Sequence, residues 1–531
     1  MSAERTIIRG GTVVDGSGGP AFGGDVLVEG GRIKAIAPSI ALEDASVLDA
    51  TSCIVAPGFI DIHSHADFTV LAFPSAESAV RQGVTTIVNG NCGGGVAPAL
   101  PKNDVRRVAF AYNPRWGLEI SWRSFGEYLA HIRNVAINVA TLVPHGAIRN
   151  AVMGLEARPP DGSELKAMKA LLDESLEAGG IGMSTGLEYQ PGCYADLGEI
   201  AELAAIVAAR DGLYATHMRN RAESFGAATR EALEVGLRSG ARVQLSHVAP
   251  RPYAPESEVR SAFDAIEEAV ADKRPVWVDT FPETWGPGNL ADLFPSAVTQ
   301  GVARDVLMRL RDSHVRREIQ AYFDAKQNFL IRGDGYENVY ISSTPTSYEA
   351  VGRSLPDLAA ENKKTVAEWA CDALLEAGDL FMSVGIRHVY ATENDLRAVL
   401  KMPCCSLGSD GIVIAGEDRD CPYPWNASTY GYAPRTLEYY VREEGVISLE
   451  ESIRRLSALP AEALGLSDRG LLREGAWADV VVFEPENVHD RTTPTCAARY
   501  PSGVRDVLVN GTPVVFEGRT TGATPGRVLT R

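Results

Sequence analysis

The fold of this chain is decided by one stretch near its N-terminus, Pro57-Gly58-Phe59-Ile60-Asp61-Ile62-His63-Ser64-His65-Ala66-Asp67. Residues 59 to 62 are a short, largely apolar run of the kind that fills a buried strand. Two histidines follow, and because residues two apart on a strand point to the same side, His63 and His65 are predicted to face one space. Two neutral imidazoles that converge at the end of a buried strand indicate a metal site.

The composition is that of an ordinary globular protein with room for more than one domain. The chain has 531 residues, of which 45% are hydrophobic and 23% charged. Its formal net charge of −18 argues against nucleic acid or an anionic membrane surface as a partner, because phosphate binding needs a basic surface. The eight cysteines show no regular pairing, and no stretch has the character of a signal peptide or a membrane span. We therefore expect a reducing, cytoplasmic location and a small-molecule partner, while a homo-oligomer stays open.

Both ends of the chain are rich in short strands. Residues 6–16 and 25–36 combine β-branched runs with Gly-Gly pairs, which are hairpin signals. Residues 478–483 and 506–516 have the same character. We therefore predict that residues 1–55 and 470–531 meet in one small β-sandwich domain.

The central part of the chain alternates short apolar strands with longer helical segments, which is typical of a parallel sheet closed by crossover helices. Eight strands are predicted, over Phe59 to Ile62, Thr85 to Val88, Val139 to Val143, Gly180 to Ser184, Tyr214 to Thr216, Arg242 to Ser246, Pro275 to Asp279 and Cys405 to Gly408. Residues 56–469 are accordingly predicted to form a (β/α)8 TIM barrel, an α/β fold. Residues 283–405 are too long for a loop and hold helical segments, such as 302–325 and 365–376. They are predicted to form an inserted subdomain over the barrel mouth.

Side chains able to bind a metal follow five of the eight predicted strands. They are His63 and His65 after strand 1, Cys92 after strand 2, His217 after strand 5, His247 after strand 6 and Asp410 after strand 8. In such a barrel, chemistry lies at the C-terminal ends of the strands. Each residue alone has an ordinary structural explanation, as a hydrogen-bonded histidine, a small buried thiol or a turn aspartate. Six convergent positions instead favour a metal centre, and the nitrogen and sulfur ligands suit zinc.

Ten short segments spread over nearly the whole chain carry a family resemblance. They are Asp15-Gly16-Ser17-Gly18, Ala56 to Asp67, Gly90-Asn91-Cys92-Gly93, Pro144-His145-Gly146, Ser246-His247, Gly408-Ser409-Asp410-Gly411, Tyr439 to Gly445, Leu459-Pro460-Ala461-Glu462, Ala478-Asp479 and Val509-Asn510-Gly511. In these segments the chain resembles the amidohydrolase superfamily, and within it the N-acyl-D-amino-acid deacylases, or D-aminoacylases. The Asn-Cys-Gly element is the most specific, since many other members of the superfamily place a carboxylated lysine or a glutamate near the metals.

The resemblance implies one tightly bound Zn²⁺ and a second, weaker metal position. In the deacylases, the residues that correspond to Cys92, His217 and His247 hold the tight zinc. His63 and His65 would form the weaker position, with Cys92 able to bridge the two metals.

The resemblance also implies catalytic roles. Zinc lowers the pKa of bound water and polarises a carbonyl oxygen. Asp410 would take the proton from the attacking water and pass it to the departing amine, which is too basic to leave unprotonated. His145 lies in a His-Gly pair that the family shares, and it is predicted to support the transition state.

The chain departs from the deacylase pattern at the positions that bind the substrate carboxylate. The pattern has a lysine two residues after the strand 6 histidine, a tyrosine just after strand 7 and an arginine beyond the catalytic aspartate. Here Ala249 takes the first position, Phe281 or Glu283 the second and the segment Asn426-Ala427-Ser428 the third. A buried carboxylate without partners is costly. A replacement could come from four arginines, Arg219, Arg221, Arg251 and Arg435. The predicted substrate-binding residues are therefore His145, Glu283, Arg219 and Ser428.

Three functions stay open at this point. The first is zinc-dependent hydrolysis of an amide C–N bond, as in the deacylation of an N-acyl-D-amino acid or a related N-acyl amine. The second is hydrolysis of a carboxylate-free or cyclic amide by the same metal centre. The neutral or cationic part of such a substrate would face Glu283 and nearby aromatic residues, namely Phe281, Trp285, Tyr423 and Trp425. The third is a non-catalytic scaffold, which would predict loss of the metal ligands.

Overall fold

All eight predicted barrel strands are present in the computed structural model. It describes residues 5–530 except residues 102, 114–115, 327, 329, 332–334, 347, 418–424 and 494–495. The strands, numbered 1 to 8 below, are Phe59–Asp61, Val84–Asn89, Asn138–Thr141 continued by Val143–Pro144, Gly182–Gly186, Leu213–His217, Arg242–Leu245, Val276–Thr280 and Cys405–Leu407. All but the first residue of strand 6 are buried, as expected of parallel strands covered on both faces.

Hydrogen bonds join these strands into two parallel sheets that meet at both sides. Strands 1 to 3 form one sheet, and the second part of strand 3 continues through strands 4 to 8 in the other. At one junction the backbone N–H of Ile181 donates to the carbonyl of Thr141 over 3.0 Å. At the other, the N–H of Asp410 donates to the carbonyl of His63 over 2.9 Å, and Ser64 bridges Gly411. The predicted (β/α)8 barrel is confirmed.

Helices connect and cover the barrel strands. Those that cover the barrel are Thr69–Ala72, Glu77–Val80, Phe125–His131, His145–Met153, Gly162–Glu177, Leu197–Ala209, Phe225–Ser239, Glu256–Ala271, Glu393–Leu400, Ser428–Arg435, the π-helical Thr436–Glu443, Leu449–Leu456 and Ala458–Leu464, with short 3₁₀ turns at Asn91–Gly93, Val105–Arg107 and Gly192–Tyr194. Glu393–Leu400 lies within residues 283–405, but its buried side chains pack in the core of the barrel and not in that of the insertion. Their ends follow capping rules. For example, Asp161 accepts from the N–H of Glu164, whose side chain accepts from the N–H of Asp161. Among the described residues, no helix has both the length and the apolar character needed to cross a bilayer.

Strands from both ends of the chain form one nine-stranded sheet. They are Arg5–Val13, Phe22–Glu29, Arg32–Ala37, Ser46–Asp49, Ile54–Pro57, Val480–Phe483, Val504–Val509, Thr512–Phe516 and Arg519–Thr520. The two halves join where Ile54–Pro57 pairs antiparallel with Val480–Phe483. The sheet folds back on itself, because Arg32 bridges Trp477 in the segment before the C-terminal strands. This return encloses an apolar cluster with members from both termini. A last short strand, Val528–Leu529, pairs with barrel strand 3.

The insertion between barrel strands 7 and 8 has its own core. An antiparallel sheet of Trp285–Asn289, Gly385–Val389 and Tyr340–Ser343 packs with the helices Ser296–Thr299, Ala303–Arg311, Ser313–Asp324, Leu355–Glu361 and Val366–Ala377 and the 3₁₀ turns Leu290–Leu293, Tyr348–Ala350 and Gly378–Ser383. The segment predicted as one helix over 302–325 is two helices, because the side chain of Asp312 accepts from the N–H groups of His314 and Val315 and caps a new helix. After the last strand of this sheet, the hydroxyl of Tyr390 donates to the carbonyl of His247 over 2.6 Å, so the insertion reaches the barrel mouth.

A buried ion pair joins the C-terminal strands to the barrel. The guanidinium of Arg469 contacts the carboxylate of Asp479, and both side chains are about 5% exposed or less. Asp479 also accepts from the backbone N–H of Asn510 over 2.7 Å and lies 3.4 Å from the side-chain nitrogen of Asn138 in strand 3. Burial raises the pKa of Asp479, while Arg469 opposes that shift. The pair therefore stabilises the junction only while both partners are present.

We predict that Arg469→Ala lowers the free energy of unfolding by about 3 to 5 kcal/mol, because it leaves a buried carboxylate without its counter-ion. Urea unfolding of the two proteins measures the difference. Arg32→Ala is the matched control, since Arg32 also lies over the Trp477 ring but pairs with Asp468 at a half-exposed site. Its loss should be about 1 kcal/mol or less. Equal losses in the two variants would contradict the assignment.

Candidate metal centre

Six ionisable side chains converge at the C-terminal ends of the barrel strands, and all are buried. They are His63, His65, Cys92, His217, His247 and Asp410. The ligand atoms of His63, Cys92 and His247 lie within 4.8 Å of one another, and so do those of His63, His65 and Asp410. The structure therefore brings together every metal ligand that the sequence predicts, together with the predicted general base.

Short distances join five of the six residues into one cluster. The Cys92 sulfur lies 3.2 Å from Nε2 of His63 and 3.4 Å from Nε2 of His247. Nε2 of His65 lies 2.9 Å from Oδ1 of Asp410, and Nε2 of His63 lies 3.5 Å from the same oxygen. His63 thus lies between the two groups of ligand atoms, which suits two adjacent metal positions.

His217 completes the cluster from the end of strand 5. Its ring centroid is 4.4 Å from that of His247. Its Nε2 lies 2.8 Å from the carboxylate of Glu188, whereas its Nδ1 is buried without a hydrogen-bond partner among the described residues. Buried nitrogens without partners are costly, and His65 and His247 each leave Nδ1 in the same state. Imidazole nitrogens and a cysteine sulfur are the donors that zinc prefers, so the residues present fit this metal.

The backbone is strained at three of these positions. Cys92, His247 and Asp410 adopt φ angles of 53°, 35° and 47°, in the left-handed region that side chains other than glycine rarely occupy. Such strain costs about 1 to 3 kcal/mol per residue and persists only where the surroundings enforce it. Its concentration at three residues of one cluster indicates that the fold positions these side chains for function.

Two glycines allow the loop after strand 2 to carry Cys92 into the cluster. A Cβ on Gly90 would lie 2.1 Å from the carbonyl oxygen of Leu142 in strand 3. A Cβ on Gly93 would lie 2.5 Å from the backbone nitrogen of Gly186 in strand 4. The loop is therefore pressed against both neighbouring strands, and only glycine fits on either side of Asn91 and Cys92.

Asp279 orients two of the histidines, and sequence reasoning missed it. Its carboxylate lies 3.2 Å from Nδ1 of His63 and accepts from the backbone N–H of His247 over 2.6 Å. It also accepts from the side chain of Gln244 over 2.8 Å. The available signal was a carboxylate inside the otherwise apolar strand 7. A partner of this kind fixes the tautomer and orientation of a metal-binding imidazole.

The cluster favours the ionised forms of its thiol and its carboxyl group. Burial alone would raise the pKa of the Cys92 thiol, but the imidazoles of His63 and His247 hold that pKa well below its usual value. Burial also opposes ionisation of Asp410, yet the hydrogen bond with His65 and the charge of His63 lower its pKa. A thiolate is the form of cysteine that binds metals, and a carboxylate is the form of aspartate that accepts a proton.

Two neighbouring cavities lie beside the cluster. The smaller one, of about 30 Å³, is lined by His65, Cys92, His247 and Asp410 among others. The larger one, of about 220 Å³, also touches Cys92 and extends beneath the insertion. Phe110, Tyr189, Asn289 and Asp292 line both cavities. The candidate metal ligands therefore border space that a small molecule could occupy.

The four predicted substrate-binding residues line neither of these cavities. Nε2 of His145 lies 2.8 Å from the carboxylate of Glu199 in a buried network. Glu283 lies 3.6 Å from Arg435, and burial raises the pKa of its carboxyl to about 8 although Arg435 opposes that shift. Arg219 pairs with Glu231 at 3.0 Å. Ser428 is buried in the first turn of its helix, and its hydroxyl has no partner among the described residues.

The aromatic residues suggested for a carboxylate-free substrate are dispersed. Trp425 lines the smaller cavity. The Phe281 ring packs 4.2 Å from that of Tyr390, and Trp285 packs against Tyr340 in the insertion, so neither lines the two cavities. Tyr423 lies outside the described residues.

The chain is similar to known proteins over its whole length. A model of the amidohydrolase family matches residues 46–515. N-acyl-D-glutamate deacylase of Alcaligenes xylosoxydans xylosoxydans is 35% identical over 529 residues, which cover 99% of this chain and 96% of that protein. The crystal structure of N-acyl-D-glutamate deacylase from Bordetella bronchiseptica, complexed with zinc and a phosphonate mimic of the tetrahedral intermediate, is 30% identical and covers both chains completely with a TM-score of 0.82. A D-aminoacylase structure with a binuclear metal centre is 29% identical, covers 99% of each chain and has a TM-score of 0.82.

We predict that Asp279→Asn weakens zinc binding about 10- to 100-fold, because the imidazole of His63 and the backbone of His247 lose the carboxylate that holds them. Competition with a chromophoric chelator measures the affinity. Asp272→Asn is the matched control, since Asp272 is exposed at the end of the helix that precedes strand 7. An unchanged affinity in Asp279→Asn would show that its carboxylate does not support the metal site.

Proposed function

Because this chain belongs to the amidohydrolase family, we propose that it removes the acyl group from an N-acyl-D-amino acid or a related N-acyl amine. The enzyme is a metal-dependent hydrolase of carbon–nitrogen bonds other than peptide bonds. One observation carries the proposal: a buried cysteine, four histidines and an aspartate meet beside a cavity at the ends of the barrel strands.

We assign one tightly bound zinc ion to Cys92, His217 and His247. A second, weaker position would be formed by His63 and His65, with Cys92 shared. The buried Nδ1 of His217 without a partner among the described residues and the contacts of Cys92 with Nε2 of His63 and of His247 support this assignment. When bound, zinc lowers the pKa of a coordinated water and polarises the substrate carbonyl.

The residues of the chain then supply the proton transfers. Asp410 lines the smaller cavity and is held as a carboxylate by His65 and His63. It accepts a proton from the attacking water and delivers that proton to the amide nitrogen as the amine departs. Its left-handed backbone and the bond between its N–H and the carbonyl of His63 fix it at this position.

Groups around the cluster hold the metal ligands in place. Glu188 binds Nε2 of His217, which keeps Nδ1 of that ring free for a metal. The hydroxyl of Tyr390 and the guanidinium of Arg221 both donate to the carbonyl of His247. These bonds restrain the loop after strand 6, where the backbone of His247 is strained.

A carboxylate-free or cyclic amide is the second candidate substrate. The observation that favours it is the absence of the deacylase anchor, since Ala249 replaces the lysine and neither Glu283 nor Ser428 lines the cavities beside the metal ligands. The third function considered, a non-catalytic scaffold, predicts loss of metal ligands, whereas all are present and the relatives are enzymes.

The proposal also covers the partners, the location and the assembly state of the enzyme. Its partner is a small-molecule substrate, and we place its activity in the cytoplasm. The acidic net charge supports the absence of nucleic acid among its partners. A homo-oligomer stays a prediction.

We predict that Asp410→Asn lowers kcat about 10²- to 10⁴-fold while zinc binding is retained, because the carboxylate that moves the proton is lost. Release of free amine measures this across N-acetyl and N-formyl D- and L-amino acids, their carboxylate-free amine counterparts and small cyclic amides. Activity that depends on Asp410 and is confined to D-amino-acid derivatives supports the deacylase. Activity confined to carboxylate-free or cyclic compounds would replace it with the second candidate.

We predict that protein purified without added metal retains about one equivalent of zinc and that chelation abolishes turnover. Restoring one equivalent should recover the activity. Titration beyond one equivalent reports the weaker position. In His217→Ala the tight equivalent should be lost, whereas His65→Ala should keep it and lose only the weaker binding. Zinc-free protein after gentle purification would contradict a zinc enzyme and favour the scaffold.

A further inference from the structure

We propose that Arg107 binds an anionic group of the substrate, remote from the amide that is cleaved. This inference rests on the proposed function, since it concerns the substrate of the same metal centre. It names the substrate class as N-acyl compounds that carry a carboxylate at a distance from the scissile bond. Sequence reasoning did not single out Arg107.

The larger cavity leads from the metal ligands to Arg107. Cys92 and Arg107 both line this space of about 220 Å³. The loop after strand 2 shapes the passage between them, because Phe110 on that loop lies 4.8 Å from the His65 ring and 5.6 Å from the Tyr189 ring. A substrate whose amide lies at the metal ligands can therefore extend beneath the insertion toward Arg107.

The guanidinium of Arg107 is held in place but left short of partners. Its Nη2 donates to the carbonyl of Gly301 over 2.7 Å, and its Cζ lies 4.6 Å from the centroid of the Phe381 ring. Its Nε and Nη1 are buried and have no hydrogen-bond partner among the described residues. A guanidinium carries five N–H donors, and leaving buried donors unpaired is costly. A substrate carboxylate would satisfy them.

The neighbouring carboxylates do not cancel this charge. Asp104 is already bound by the adjacent Arg106, with N–O distances of 2.6 to 3.0 Å. Glu188, which also lines the cavity, is paired with Arg251 at 2.6 Å. Burial lowers the pKa of Arg107 to about 10, although the charge of Asp104 opposes that shift, so Arg107 stays cationic at neutral pH.

Asp292 lies toward the metal end of the same space. It lines both cavities, whereas Arg107 lines only the larger one. The cation therefore lies away from the smaller cavity, which is lined by His65, His247 and Asp410, and this suits a substrate whose anionic group lies away from the scissile amide.

The four arginines that sequence reasoning offered as replacement anchors are engaged elsewhere, and none lines the two cavities. Arg219 binds Glu231 and two backbone carbonyls. Arg221 donates to the carbonyls of His247 and Ala249. Arg435 donates to the carbonyl of Pro282 and pairs with Glu393. Together with the pairing of Arg251 to Glu188, this leaves Arg107 as the guanidinium that faces substrate from this cavity among the described residues.

The remote carboxylate can belong to either half of the substrate. It can be the side-chain carboxylate of the amino acid or the distal carboxylate of a dicarboxylic acyl group. Two pairs of compounds separate these sources. The first is N-acetyl-D-glutamate and N-acetyl-D-glutamine, and the second is N-succinyl-D-alanine and its succinamyl amide. In each pair one member has a carboxylate and the other a neutral amide of the same shape.

The test measures kcat/KM for all four compounds with zinc-loaded wild type, Arg107→Gln and Arg123→Gln. For at least one of the two pairs, the ratio of kcat/KM for the acid to kcat/KM for the amide should fall about 10- to 100-fold in Arg107→Gln, mainly through KM, since a charge-assisted hydrogen bond is lost. Arg123→Gln is the matched control, because Arg123 is an exposed arginine on the same loop and does not line the cavity. It should leave the ratio unchanged. An equal loss on acid and amide, or the same ratio change in both variants, would overturn the proposal.

Calorimetry with glutarate and D-glutamate gives a readout that needs no turnover. At least one of these dicarboxylates should bind wild type and Arg123→Gln about 10-fold or more tightly than Arg107→Gln. Equal binding by all three proteins would overturn the role of Arg107. If wild type hydrolyses neither these four compounds nor any member of the wider panel described above, the proposed function fails, and the calorimetric result still decides whether Arg107 is an anion site.

Discussion

Burying six ionisable side chains at one end of a barrel is the constraint on which the rest of this structure depends. Each charge taken out of water costs free energy unless it is paired or bound to a metal. The chain meets this cost with a second layer of partners. Asp279 hydrogen-bonds with the ring of His63 and with the backbone N–H of His247. Glu188 does the same for the ring of His217, and Asp410 for the ring of His65. What remains unpaired, chiefly imidazole nitrogens, is what a bound zinc ion would satisfy.

This arrangement strains the backbone locally, and the rigid barrel maintains that strain. Cys92, His247 and Asp410 are held in left-handed conformations at the ends of three buried strands. Glycines at 90 and 93 let the loop that carries Cys92 press against its neighbours. A less rigid scaffold would relax such strain and with it the positions of the ligands. Because the barrel holds the candidate metal ligands, the loops above it can differ in sequence and so in the substrate they accept without moving those ligands.

The elements that shape the substrate cavity differ from those that carry the candidate metal ligands. The candidate metal ligands follow the barrel strands, whereas the larger cavity is closed by the loop after strand 2 and by the insertion. Arg107 links these two, since it lies on that loop, donates to Gly301 of the insertion and packs on Phe381. By resemblance to the deacylases, the three anchor positions are predicted to fall at residues without cationic or phenolic side chains. A cation supplied by Arg107 would then preserve recognition of an acid while changing where on the substrate that acid lies.

The sequence by itself determined the barrel, the sheet shared by both termini and the convergence of the six ionisable residues. Strand and helix periodicity is local, and parallel strands necessarily bring their C-terminal ends to one face, so residues that follow the strands must meet there. Roles that depend on which loops touch could not be predicted in this way. Asp279 was missed because the sequence shows a carboxylate inside strand 7 but not its partners, His63 and His247. Glu283, Arg219, His145 and Ser428 were placed by alignment with a pattern, and the structure puts them against other side chains or outside the cavities. Only the tertiary structure decided that Arg107 lines the cavity, because its surroundings come from segments about 200 to 270 residues away in the chain, and no periodicity encodes such a meeting.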